Sequence, residues 1–175
     1  DIKNWKKVSD DTSEFLSQYH DIPFKGEVPE NITPNSPVRN YPYYMNFAGE
    51  RLLITGGGHI ANRLDRPGTI MTFENNTWNS FQEEGISEQT KHRYDDINCI
   101  VQDPKDVAHH FAASAGEGIY EFKDGKFINW YSMHNSPLES AVPNEPWADS
   151  YVRVNGLIYD KENNLWMVSC ETQHA

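Results

Sequence analysis

The chain has 175 residues and a mass of 20.2 kDa, enough for one domain with a real core. Acidic residues outnumber basic ones 26 to 15, a formal net charge of -11, which excludes a surface built to hold nucleic acid or anionic lipid. Mean hydropathy is -0.75, no apolar run approaches the roughly 20 residues of a membrane span, and 13% of residues are aromatic; a bilayer-crossing helix and a disordered chain are both excluded.

The chain opens at Asp1 without an initiator Met or a leader-like apolar run, which reads as a processed chain. It closes at Ala175 shortly after a strand-like run, which reads as a longer natural protein. Residues 1–42 are expected to be irregular. Pro23, Pro29, Pro34, Pro37 and Pro42 deny helix interiors and central strands alike. Within this lead, Ser9, Asp10, Asp11 and Thr12 can cap a short helix running toward Tyr19.

Beyond residue 42 the texture changes to short strands punctuated by turn residues. One series is expected at 43–47, 51–55, 69–73 and 77–81. A second follows at 97–102, 110–114, 118–122 and 126–131, and a third begins at 154–159 and 165–170. Asn75-Asn76 and Asp124-Gly125 read as two-residue hairpin turns that accept positive φ. Residues 103–108 and 160–164 read as loops whose Asp side chains bond their own backbone.

The series repeat. Ile70 to Trp78 aligns without a gap on Ile119 to Phe127, and Phe81 then falls on Trp130. Leu157-Ile158-Tyr159-Asp160 matches Ile100-Val101-Gln102-Asp103, and Leu165 to Ser169 matches His110 to Ser114. A period of roughly 50 residues holding four short antiparallel strands is the pattern of a β-propeller blade. Such a sheet is apolar on both faces and must lie between neighbours. The expected fold class is therefore all-β, with four-stranded antiparallel blades at about 43–81, 96–131 and 152–175 forming an incomplete part of a larger propeller.

Residues 103–127 and the run Asp160-Lys161-Glu162-Asn163-Asn164-Leu165-Trp166 resemble the two-component regulator propeller repeat: an apolar strand ending in Asp, a polar turn, an aromatic-led strand, then Gly-Ile-Tyr and a hairpin. They are also similar to PorZ-type propellers of Bacteroidetes. The resemblance departs at Ser169-Cys170, where the repeat often has Gly-Thr, and throughout the Pro-rich lead. It implies export to the periplasm or cell surface, and a sensor or type IX secretion role with an anionic lipopolysaccharide, another glycan or a protein as partner.

In an up-and-down blade, alternate connections share a rim. One rim has short turns, whereas the other carries 56–68, 82–96 and 132–153, and elaborated loops on a rigid scaffold are where binding resides. Arg93, Tyr94, Glu117, Trp147, Tyr151 and Arg153 are the ligand-binding candidates of that rim. Tyr and Trp stack on sugar rings, and Arg forks onto carboxylate or phosphate. The bland reading of Trp147 and Tyr151 is that they pack the loops down.

Other motifs carry less. Leu52-Leu53-Ile54-Thr55 running into Gly56-Gly57-Gly58-His59-Ile60-Ala61 imitates a dinucleotide-binding turn, with Glu74 as the ribose acid. The interval before Pro67 is too short for a parallel crossover, so a hairpin excursion is expected instead. Asp160 to Glu171 imitates a calcium loop, but Leu165 replaces the required Gly. His109 and His110 point to opposite faces of one strand and make no metal site. Cys99 and Cys170 read as buried free thiols, the two Asn-x-Thr sequons as chance, and no cofactor or metal is expected. Asp95, Asp96, Glu117 and Asp149 leave a second reading open, a carbohydrate-active enzyme fragment working with paired carboxylates at the same rim. The leading expectation is non-catalytic: an exported sensor or scaffold.

Overall fold

A computed structural model describes residues 35–58 and 64–172. The expected helix at 9–19 and the lead as far as Pro34 lie outside these residues. The described chain is nearly all β. The first blade comprises β1 (Tyr44–Ala48), β2 (Arg51–Thr55), β3 (Ile70–Glu74) and β4 (Thr77–Ser80). The second comprises β5 (Ile97–Asp103), β6 (Asp106–Ser114), β7 (Ile119–Lys123) and β8 (Lys126–Tyr131). Two strands of a third follow, β9 (Val154–Tyr159) and β10 (Leu165–Ser169). Every pairing of neighbouring strands is antiparallel.

The turns follow from residue chemistry. Asn75 and Asn76 have φ of 49° and 58°, and Asp124 and Gly125 have 51° and 69°, the paired positive values of a twisted two-residue hairpin. The 103–108 connection is tighter than expected. Asp103 Oδ1 accepts the Lys105 N–H at 2.8 Å and β6 already begins at Asp106. β2 and β3 pair directly, so the glycines after Thr55 lead into an antiparallel partner and the dinucleotide motif has no crossover to serve.

Alternation then builds the core between blades. Leu53, Ile70 and Phe81 meet Ile97, Ile100, Ala112, Tyr120 and Phe122 in one buried cluster. Cys99, Val101, Ala113 and Ile119, on the opposite face of the second blade, meet Val154 and Leu157 in another. Ile70 and Ile119 are thus both buried, each against the following blade. Hydrogen bonds stitch the same seams: the Gly57 N–H donates to the Ile97 carbonyl at 2.7 Å and Asn98 Nδ2 to the Val154 carbonyl at 2.9 Å.

The internal alignment gives the register of the third blade. Leu157 opposite Met167 reproduces Ile100 opposite Ala112, and Ile158 opposite Trp166 reproduces Val101 opposite Phe111. One correspondence needs correction. Phe122 pairs with Phe127 but Glu121 with Asn129, so Ile128 is a bulge that shifts β8 by one residue. Tyr131 opposite Ile119 is therefore the counterpart of Phe81, whose N–H bonds to Ile70; Trp130 is not.

Two short helices were not expected, α1 (Ile86–Thr90) and a 3-10 turn at Ala148–Tyr151. Both free thiols are present, but only Cys99 is buried and Cys170 is half-exposed. His109 and His110 do face opposite ways. His109 lies between Asp103 and Glu121, whereas His110 meets Phe81 edge-on at 4.9 Å.

The calcium-like loop is closed by its own Asp. Asp160 accepts the Glu162 and Asn164 N–H groups, the Asn164 amide and the Trp166 indole. The indole bond, followed by those from Asn164, lowers the Asp160 pKa to about 2. A depressed carboxylate contributes stability above its unfolded value, about 3.9, and loses it as pH falls through the folded one. The stability gap between wild type and Asp160→Asn should therefore close as pH falls from about 4 to about 2, as read by denaturant titration at stepped pH. A gap independent of pH would contradict the bond pattern.

Candidate functional site

The six candidate residues fall into two groups at the long-loop end of the blades, and one of them, Tyr94, turns into the core. In the first, the extended backbone before β5 alternates. Arg93 and Asp95 project one way and Tyr94 the other. Arg93 Nη2 lies 2.7 Å from Asp65 Oδ1 and 2.5 Å from Asp95 Oδ2. Asp96 is fully buried and caps a loop, accepting the N–H groups of Leu64, Asp65 and Arg66 at 3.0, 2.9 and 3.2 Å. Oxygens of Asp65, Asp95 and Asp96 lie within 4.8 Å of one another. Arg93 supplies the positive charge there, and the backbone donors occupy Asp96.

Glu117 is also fully buried, in the tight hairpin between β6 and β7. His92 Nδ1 sits 3.7 Å from its Oε2, and the Arg93 guanidinium feels its charge. Its carbonyl accepts the Trp130 indole N–H at 2.5 Å, and His92 stacks on the Trp130 ring with centroids 4.4 Å apart. Tyr94 does not reach the rim surface. It packs edge-on against Tyr120 at 4.9 Å, and burial pushes its phenol far above the ordinary range. The sugar-stacking role expected of Tyr94 has no exposed ring to act through. Gly68 makes room for that ring, since a Cβ there would meet it at 2.6 Å.

The second group belongs to the loop before β9. The Arg153 guanidinium lies 4.9 Å over the Tyr151 ring and pairs with Glu171. Trp147, 54% exposed, stands at the start of the 3-10 turn. His134 Nε2 and Asp149 Oδ1 are 2.6 Å apart on the same loop. The hairpin of Glu117 connects the groups, because the Val152 N–H donates to the Gly116 carbonyl and the Gly118 N–H to the Val152 carbonyl. The loop before β9 thus carries an exposed indole, a guanidinium paired with Glu171 and an imidazole paired with Asp149. The four carboxylates noted for hydrolysis all have partners: Arg93 for Asp95, backbone donors for Asp96, His92 for Glu117 and His134 for Asp149.

Sequence reasoning missed Asp65, His92 as the Glu117 partner, and the His134–Asp149 pair. Only loop closure brings these residues together, and no spacing rule signals it. A further cluster lies on the second blade's other face. Partial burial opposes charge on His109, but its hydrogen bonds to Glu121 and Asp103 raise its pKa, and Tyr131 donates to Glu121 at 2.8 Å.

No family model and no curated protein matches this chain. Among solved structures it is similar to PorZ, an essential bacterial surface component of the type IX secretion system of the human oral bacterium Porphyromonas gingivalis. The likeness has 27% sequence identity and a TM-score of 0.69, covering 79% of this chain and 18% of PorZ. The chain thus spans less than a fifth of the protein it resembles.

Proposed function

We propose that this chain is a non-catalytic, exported scaffold segment: consecutive blades of a larger propeller at the cell surface, presenting the long-loop rim to a glycan, lipopolysaccharide or protein partner. The likeness to PorZ at 27% identity carries this reading. PorZ is a surface component of a secretion system, and a scaffold role asks nothing catalytic of the rim. The alternative implied by the propeller repeat, a periplasmic sensor ectodomain, uses the same blades. The unfilled faces support a larger assembly. Ile158, Trp166 and Val168 are 66%, 60% and 58% exposed, yet they occupy the repeat positions of Val101, Phe111 and Ala113, which face the next blade.

Within the rim, Trp147 and Arg153 are assigned the contact with ligand, with Tyr151 holding the Arg153 guanidinium and Arg93 and Glu117 shaping the adjoining hairpin. The test is retention of the 175-residue chain on immobilised anionic lipopolysaccharide. Trp147→Ala combined with Arg153→Ala should remove retention while circular dichroism stays unchanged. Retention equal to wild type would overturn the assignment.

A further inference from the structure

We propose that His109 is a proton-controlled clamp on the seam between the second and third blades. When protonated it ties Asp103 and Glu121 together on the face that packs against the third blade. When it loses that proton the two carboxylates part and the third blade loosens. The clamp sits beside the turn from Asp103 to Asp106 and uses none of the residues assigned to ligand at the long-loop rim.

Strand alternation puts His109 on the face that carries Phe111, Ala113 and, opposite Phe111, Glu121. That face meets Val154 and Leu157 of the third blade. The ring stands in a chain of contacts that crosses every strand of the second blade. Nδ1 lies 3.3 Å from Asp103 Oδ2 on β5 and Nε2 lies 2.6 Å from Glu121 Oε1 on β7. The Tyr131 hydroxyl of β8 donates to Glu121 Oε2 at 2.8 Å. His109, Asp103 and Glu121 are largely shielded from water, with side chains 20%, 22% and 13% exposed. From the third blade, Tyr159 packs along the same seam and feels the Asp103 and Glu121 charges.

An imidazolium carries a proton on each nitrogen and satisfies both carboxylates at once. A neutral imidazole has one N–H, so it donates to one carboxylate and turns a lone pair on the other. Partial burial opposes charge on His109, but the bonds from Glu121 and Asp103 raise its pKa. The stabilisation is fully present below the ordinary histidine value, about 6.5, and is lost as pH rises through the raised folded value. Around the ring, burial pushes Tyr131 up and Tyr159 to about 12, and holds His110, on the opposite face, down to about 4. Lys123, opposite His109 in the register, is engaged by Asp106, so His109 supplies the cation between Asp103 and Glu121. Among the described residues the third blade has two strands, and a two-stranded sheet is marginal by itself, so its order depends on this seam.

The test is amide hydrogen exchange of the 175-residue chain, read by mass spectrometry at stepped pH from about 5.5 to about 8.5 and corrected for the intrinsic pH dependence of exchange. Protection of β9 and β10 should fall about fivefold across that range, while that of β2 and β3 in the first blade holds. His109→Gln keeps a polar side chain that cannot gain the proton, so its β9 and β10 protection should be the same throughout. Should that variant not fold, Glu121→Gln decides: the midpoint of the drop should move to lower pH, and an unchanged midpoint overturns the clamp. Equal wild-type protection at every pH, a drop that survives His109→Gln, or a drop shared equally by all three blades overturns it as well.

Discussion

Gly57→Ala should be among the most damaging single-methyl additions to this chain, lowering stability by about 3 kcal/mol. A Cβ at Gly57 would lie 2.2 Å from the Ile97 carbonyl oxygen and 2.6 Å from the Asp96 carbonyl carbon. Both obstacles are backbone. They cannot rotate aside, and the same Gly57 N–H holds the first blade to the second through Ile97. Two other glycines serve as internal controls. At Gly56 the obstacle is the Tyr41 ring at 2.7 Å, a side chain with freedom to shift. Gly49 has open space but a φ of +63°, so Gly49→Ala should cost about 1 kcal/mol from backbone conformation alone. Urea denaturation should rank Gly57→Ala well below the other two, with unchanged m-values. Equal midpoints for all three would mean that the blades do not approach so closely at this seam.

The same glycine shows where reading a sequence succeeds and fails. The run Gly56-Gly57-Gly58 signals unusual backbone, but the reason is inter-blade contact, a long-range relation that no local pattern encodes. What is local was legible. Strand alternation, the Asn75-Asn76 and Asp124-Gly125 turns and the register of β9 against β10 all follow from short-range periodicity repeated along the chain. The exception, Phe81 set against Trp130, arose because a bulge at Ile128 changes strand phase without changing composition. α1 escaped because five residues are too few to display a helical period. The rim residues were legible as types but not as contacts. Arg93, Tyr94 and Asp95 are consecutive and chemically suited to one mouth, yet extended backbone sends Tyr94 into the core and leaves Arg93 to neutralise Asp65 and Asp95. His110 was legible as a strand residue that makes no metal site, but its burial is a property of the packed blades.

Phe122→Ala should cost about 4 kcal/mol, because it removes the ring that joins the first two blades. Phe122 is fully buried, with ring centroids 5.4 Å from Phe81 across the seam and 6.2 Å from Tyr94 and Phe127. Its loss opens a cavity inside the buried cluster that the two sheets share, and their strand pairing limits how far they can close over it. The architecture makes a sharper demand on a matched pair. Val101 and Ile158 hold the same place in successive repeats, each on the inner strand and facing the following blade. Val101 is 8% exposed because a following blade is present; Ile158 is 66% exposed. Val101→Ala should therefore cost about 2 kcal/mol, whereas Ile158→Ala should stay within about 0.5 kcal/mol in the 175-residue chain. Strand position is matched and the larger side chain is the one expected to cost less, so the difference isolates what a neighbouring blade contributes. In a longer chain in which another blade covers Ile158, the cost of Ile158→Ala should rise to at least that of Val101→Ala, since isoleucine buries one more methylene. Equal costs already in the 175-residue chain would mean that the stability of these sheets does not come from lying face to face.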